Sequence, residues 1–304
     1  IALRIAHLCK ADLATQMVVE FTSLQGIMGQ EYARKSGEDE RVAQGIYEHY
    51  LPRFALDSMP SLPPARVVGI ADRLDSLAGL FAVGLAPTGS ADPYGLRRAA
   101  AGLVELLCDL SCGLSVRELL SEAAAGLPVA ASAESLAQAW DFVMGRLRQS
   151  LLDEGIRHDV ADAVLAERGD TPDLARQAAR LINNWVARPE WPAILVAYAR
   201  CKRIVRPLNE TYPLQPARLT EPAAALLLRA YQEQERHARE GIRQGNLEAL
   251  YEALHALAGP INVFFTDILV MDENPETRAA RLGLVQAIAR LPDGIADLSR
   301  LQGF

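Results

Sequence analysis

Two stretches of the chain carry residue types whose spacing could support chemistry. In the first third, Asp12, Asp72 and Asp75 sit inside apolar helical stripes. A buried carboxylate is costly unless it is paired, hydrogen-bonded or bound to a metal ion. Two readings stand open: Asp12 and Asp72 hold a divalent ion, or they cap helices and pair with Lys10, Arg73 or Arg98. In the last third, Arg188, Arg200, Lys202, Arg203, Arg206 and Arg218 stand against Glu190 and Glu210, a local charge of 6 minus 2, or +4, in a chain of net charge -7. Four of these cations lie in RCKRIVR (200–206), directly after the apolar run WPAILVAYA (191–199). The planar fork of arginine suits phosphate, and Trp191, Tyr198 and Tyr212 are near enough in sequence to offer stacking surfaces to unpaired bases. A solvated basic helix face is the competing reading. His158 and Asp159 form an adjacent pair of metal-ligand types, but no partner cluster lies at a recognisable spacing, and Asp159 is expected to be a helix N-cap.

Composition removes several classes of function. With 50% hydrophobic and 23% charged residues over 304 positions, the chain reads as globular, with two or three domains. Four cysteines without a C-x-x-C pair offer neither a disulfide scaffold nor a zinc site, and a reduced cytoplasmic setting fits them. The longest apolar stretches, 222–228 and 261–271, fall short of the ~20 residues that span a bilayer. No membrane role is expected. The acidic balance argues against coating nucleic acid non-specifically, because that binding grows with the phosphates neutralised. There is no G-K-[ST] phosphate loop.

The elements that must position these residues are helices. Apolar residues recur at three- and four-residue steps almost everywhere, and period-two alternation is nearly absent. Asp92-Pro93 predicts a helix over 92–111, with the carboxylate at N-cap and proline at N1. Thr171-Pro172 and Thr220-Glu221-Pro222 open helices over 171–187 and 220–243 by the same chemistry. A further helix is expected over 246–258, ended by Gly259-Pro260, before a final helical pair around 264–271 and 276–284. Prolines gather in loops 59–64, 84–93 and 207–216. Pro87-Thr88-Gly89-Ser90 is a turn-prone loop that Arg97 and Arg98 could pin, unless those arginines reach phosphate instead. Ile1 is not an initiator and the first residues read as mid-helix, so a C-terminal piece of a longer protein is expected.

Two resemblances follow from these residues. ADRLDSL (71–77) is similar to the last metal-binding segment of HD-domain phosphohydrolases, and KADL (10–13) aligns with the segment carrying their His-Asp pair. The histidine position is Ala11, so Asp12 and Asp72 are left as degenerate site positions, with no metal and no catalytic residue expected. An active metal-dependent phosphohydrolase, its missing ligand replaced by His7 or His49, is the alternative. More specifically, KADLATQMVVEFTSLQGIMGQEYARKSGE (10–38), IYEHYLPRFALDSMP (46–60), GIADRLDSLAGLFAVGLAPTGSADPYGLRRAA (69–100) and INVFFTDILVMDENPETRAARLGLV (261–285) resemble the β-subunit family of bacterial heterotetrameric glycyl-tRNA synthetases. YARCKRIV (198–205) and the final helical pair resemble the anticodon-binding domain shared with arginyl-tRNA synthetases.

The resemblance implies an all-α chain: an HD-like helical domain (1–115), a helical connector (116–186) and a DALR-type anticodon-binding bundle (187–304). It implies a tRNA-binding portion of a glycine-tRNA ligase, itself without catalytic activity. ATP and Mg are expected on an α subunit, separate or fused upstream, so no cofactor is expected in this chain. The partners implied are glycine tRNA and the α subunit, in an α2β2-type cytoplasmic assembly. Arg200, Lys202, Arg203, Arg206, Arg278 and Arg281 are the tRNA-binding candidates, the last two as base readers unless ion-paired with Glu276 or Asp272. Arg97 and Arg98 are tRNA-binding or structural. The chain departs from the family's pattern at Ala280, where asparagine is usual, and at Arg206-Pro207, where Asn-Ile is usual.

Overall fold

The computed structural model describes residues 1–54, 57–89 and 91–304. Among these residues the regular elements are α-helices and short 3-10 turns, with no strand. The chain divides into two compact units, residues 1–150 with 170–174, and residues 151–169 with 175–304.

The first unit is built on α1 (Ala2–Leu8), α2 (Gln16–Glu20), α3 (Ile27–Lys35), α4 (Glu40–Glu48), α5 (Pro63–Ala82), α6 (Leu96–Leu110) and α7 (Val116–Ala125). Ile5, Val42, Ala43, Ile46 and Val68 bury the contact of α1, α4 and α5. Leu77 on α5 and Leu103, Val104 and Leu106 on α6 are as deeply buried. Between α5 and α6 lies Arg73, buried, donating to the carbonyls of His49, Tyr50, Leu51, Pro52 and Gly69. One guanidinium thus satisfies the backbone acceptors of the α4–α5 connection, which would otherwise be buried unpaired. Gly102 makes room for it, since a Cβ there would lie 2.7 Å from the Arg73 Nε.

The expected helix start at Asp92 moves. Helix α6 begins at Leu96, after Gly95 in the left-handed region at φ 68°. The Asp92 carboxylate still accepts from the Leu96 and Arg97 N–H groups, so it caps the helix from one turn before it. Arg97 donates to the carbonyls of Gly89 and Ala91, pinning the loop through backbone. Ser90 of that loop, and Ala55 and Leu56 of the segment 46–60, lie outside the described residues.

Helices α8 (Ala133–Asp153), α9 (His158–Arg168) and α10 (Pro172–Val186) follow. Asp159 lies inside the first turn of α9, where Arg157 is the N-cap. It is not the cap that its sequence context suggests, because its carboxylate is taken by the Arg157 side chain and the Gln302 N–H.

The second unit's core joins α11 (Trp191–Val205), α12 (Pro222–Arg243), α13 (Glu248–Asp267) and α14 (Pro275–Ala289). Cys201 on α11, Leu227 and Tyr231 on α12, Leu257, Ile261 and Phe264 on α13, and Leu284, Val285 and Ile288 on α14 share one cluster. A turn at Gly245 folds α12 and α13 into a hairpin. Gly259-Pro260 does not end α13, which runs on to Asp267 with Pro260 inside. Leu257, Ile261 and Phe264 bury the same face on both sides of the proline, and that packing outweighs one missing N–H. Residues 268–274 are not helical, so the expected helix over 264–271 is the end of α13 followed by a connection.

Candidate nucleic-acid interface

Capping chemistry places the basic segment at the end of α11. Pro192 lies in the first turn of that helix, Lys202 and Arg203 in its last, and Arg206 is the C-cap. Cations there meet the partial negative charge of the unsatisfied carbonyls, which favours their position. The buried side of α11 is Ile194, Leu195, Ala197, Tyr198 and Cys201, leaving Arg203 and Arg206 to solvent.

The six tRNA-binding candidates differ in what already holds them. Arg206 makes no ion pair among the described residues, and Arg203 rests over the Phe304 ring at 5.3 Å. Lys202 stands 3.8 Å from Asp293, a long contact that a phosphate could replace. Arg200 lies over the Phe265 ring at 4.8 Å and donates to the Asn262 side chain at 3.2 Å. Arg278 donates once, to the Asp272 carbonyl, and is half-exposed. Arg281 is the exception. Its side chain is 10% exposed, with one nitrogen on Asp272 at 2.7 Å, another on Glu221 at 2.8 Å, and a third bond to the Leu269 carbonyl. Of the two ion pairs considered for it, Asp272 is present; Glu276 instead pairs with Arg218.

The stacking candidates from sequence are mostly interior. Tyr198 is buried and its hydroxyl donates to the Ala289 carbonyl at 2.9 Å. Burial pushes that hydroxyl's pKa up. Trp191 is buried against Tyr251, ring centroids 6.2 Å apart. Only Tyr212 stays half-exposed, with its hydroxyl on Glu210. The aromatic faces that do lie under the cations, Phe265 and Phe304, were missed because each is far from its arginine in sequence.

Lys202, Arg203 and Arg206 share the last turn and cap of α11, whereas Arg278 and Arg281 lie in the first half of α14. Arg200 touches Asn262 and Phe265, so the last turns of α11 and α13 lie side by side. Arg281 joins the residue before α12 to the connection before α14, and Arg218 joins Glu276.

The aspartates of the first unit are differently engaged. Asp12 is 1% exposed; one carboxylate oxygen accepts from the N–H groups of Gly26 and Gly29, and the other has no partner. Asp72 is held by the Lys10 ammonium at 2.9 Å, and Lys10 also lies 4.7 Å from the centre of the Tyr50 ring. His49 is fully buried, its Nδ1 on the Ile46 carbonyl at 2.7 Å, so this nitrogen carries the proton. Burial, helped by the Lys10 charge, lowers its pKa to about 4 against the opposing effect of Asp72. His7 is exposed on α1. Among the described residues no group of three or more His, Cys, Asp or Glu side chains could hold a metal ion. Ala11 offers no ligand, Asp75 and Arg98 are exposed, and Arg73 serves carbonyls rather than Asp12 or Asp72.

Comparison with known proteins matches the chain over two segments. The family described as glycyl-tRNA synthetase beta subunit matches residues 1–166, and the DALR anticodon binding domain matches residues 194–295. The chain is 41% identical over 307 residues to a glycine-tRNA ligase beta subunit of Moorella thermoacetica, covering 98% of this chain and 44% of that protein. Identity to the beta subunit of Halalkalibacterium halodurans is 37%, with 98% and 44% covered. A chloroplastic/mitochondrial glycine-tRNA ligase of Arabidopsis thaliana is 37% identical, with 98% and 28% covered. The chain therefore spans less than half the length of these curated relatives.

Proposed function

Because the chain belongs to the glycyl-tRNA synthetase β-subunit family, we propose that it supplies tRNA-binding surface to a glycine-tRNA ligase, with the basic end of the second unit on the RNA. The observation that carries this reading is the pair Arg203 and Arg206 on the last turn and cap of α11. Neither is spent on a carboxylate, in a chain of net charge -7. Phosphate contacts position an RNA without reading it, and Arg203, Arg206 and the loosely held Lys202 take that role. Arg200, earlier on α11, and Arg278, on α14, are each partly engaged and remain further candidates. Arg281 is assigned to holding the starts of α12 and α14 together rather than to reading a base, since a buried guanidinium between two carboxylates leaves little to offer.

Glycine activation is assigned to an α subunit, separate or fused upstream, in a cytoplasmic α2β2-type assembly. Adenylate formation needs preorganised cations and donors around a triphosphate. No phosphate loop of that composition occurs here, and ATP and Mg belong to the α subunit in this reading. The HD-like part of the first unit has a non-catalytic role. Lys10 already neutralises Asp72, and Asp12 anchors the start of α3.

The experiment is a titration of the chain with glycine tRNA and with an unrelated tRNA, beside a glycine-dependent ATP–pyrophosphate exchange assay. The expected result is salt-sensitive binding that favours glycine tRNA, with no exchange until the α subunit and the rest of β are added. Exchange by the chain alone, or indifference to both RNAs, contradicts the proposal.

A further inference from the structure

The segment between α1 and α3 is built as a closed loop. Its neck is the Asp12 carboxylate, which accepts from the Gly26 N–H at 2.7 Å and the Gly29 N–H at 3.2 Å and so holds residue 12 against the start of α3. The Thr15 hydroxyl donates to the Asp12 carbonyl, and the Gln25 amide donates to the Tyr50 hydroxyl at 2.9 Å, which fixes both ends. Gly26 stands in the left-handed region at φ 79°, and a Cβ there would lie 2.6 Å from the Tyr50 ring, so the neck closes tightly. Loops of this size with ends pinned close together are compact and ordered by their own contacts.

What the loop carries is apolar and faces outward. Helix α2 packs mainly on the short turns at either side of it, Ala11–Ala14 and Thr22–Leu24, and of residues 13–23 Val18 alone is buried. Leu13, Met17, Val19 and Phe21 are exposed, Val19 at 63% and Phe21 at 56%. Five of the nineteen large apolar side chains exposed among the described residues fall within positions 13–27, fifteen of 304. Scattered single exposures need no partner, but a cluster on an ordered loop marks an interaction surface. Its charge does not suit RNA, since Lys10 is taken by Asp72 and Glu20, held by Gln16, is the loop's exposed charge. Exposed Met and Phe with few charges around them match the centre of a protein–protein interface.

We infer that this loop is the seat of the remaining portion of the β subunit, the part of the family's polypeptide that this chain does not span. The Moorella thermoacetica relative aligns over 307 residues with 98% of this chain, and that match covers 44% of the relative. An alignment barely longer than this chain leaves no room for large insertions, so the relative's surplus lies beyond the matched segment. A portion tethered in the same polypeptide acts at a high effective concentration and reaches an apolar surface ahead of any separate chain. Under this assignment Asp12 has a structural purpose: it presets the loop for docking, which lowers the cost of ordering it at the interface. The inference rests on family membership and not on the tRNA-binding reading.

The test labels Met17→Cys with a fluorescent maleimide in this chain and in the full-length β subunit, with no α subunit and no tRNA present. The same measurement without the substitution gives the contribution of the native cysteines. Labelling should be fast in this chain and slower by on the order of tenfold or more in the full-length subunit, because the contact must open first. Phe21→Asp, added to the full-length subunit, should restore fast labelling there, while in this chain it leaves the urea midpoint unchanged. Equal labelling of Met17→Cys in the two forms overturns the inference, and adding the α subunit or glycine tRNA to this chain then shows whether either is the occupant instead. Labelling that stays slow in the full-length subunit with Phe21→Asp also overturns it, because the cover then does not depend on the apolar cluster. Loss of glycine tRNA binding would overturn the tRNA-binding reading and leave this one standing.

Discussion

Lys10 and His49 illustrate how much of the first unit's chemistry is decided by single side chains. The Lys10 ammonium on Asp72 supplies the positive charge that a carboxylate needs in a half-buried place, and it helps keep His49 neutral. The pH dependence follows with a definite sign. His49 titrates at its ordinary 6.5 in the unfolded chain and at about 4 in the folded one, so the unfolded state binds more protons between those values. Stability should therefore fall as pH drops from 6.5 toward 4, and His49→Asn should flatten that part of the profile in urea melts at successive pH values. An unchanged slope would show that His49 is not the group responsible. Arg281 provides the second prediction at this level. Its removal leaves Glu221 and Asp272 unpaired in a half-buried place, so Arg281→Ala should cost about 3 kcal/mol in denaturant unfolding. Arg206→Ala, on the exposed cap of α11, should change stability by less than about 0.5 kcal/mol. Neither the Lys10 nor the Arg281 arrangement was legible from spacing beyond naming the candidates, because Lys10 and Asp72 are 62 residues apart and Arg281 and Glu221 are 60.

The helices themselves were more legible, and for local reasons. Pro172 and Pro222 each stand at the first position of a helix, as their Thr-Pro and Thr-Glu-Pro contexts predict, because capping is settled within four residues. Two of the boundaries that moved were settled by longer-range effects. Asp92 caps α6 across the Pro93–Gly95 turn, and Pro260 is carried through α13 by burial on either side of it. Pro260→Ala should restore the hydrogen bond to the Ala256 carbonyl and raise stability by about 1 kcal/mol, part of the ~3 kcal/mol that an interior proline costs. Calorimetry reads this as a higher Tm, and a lower Tm would mean that the proline is needed for the course of α13. Gly102→Ala should act oppositely. The added carbon would lie 2.7 Å from the Arg73 Nε and 3.2 Å from the Pro52 carbonyl, so the α5–α6 contact must open at a cost of about 1–3 kcal/mol.

Across the whole chain, the contrast between a net charge of -7 and the local excess of cations on α11 is what the proposed RNA-binding role rests on. No described helix is long and apolar enough to cross a membrane. Charge excess was visible in the sequence, but which cations are free was not, since that depends on Asp293, Asn262, Phe265 and Phe304, all at least 60 positions away. The claim that this end of the second unit binds tRNA electrostatically is tested most directly by the salt dependence of glycine tRNA binding. The measurement compares the native chain with Arg203→Ala, Arg206→Ala and the double variant across a series of salt concentrations. The account predicts that the log–log slope becomes shallower by about one unit per side chain removed, with affinity falling alike for all tRNAs. Slopes that stay the same in all three variants would contradict it.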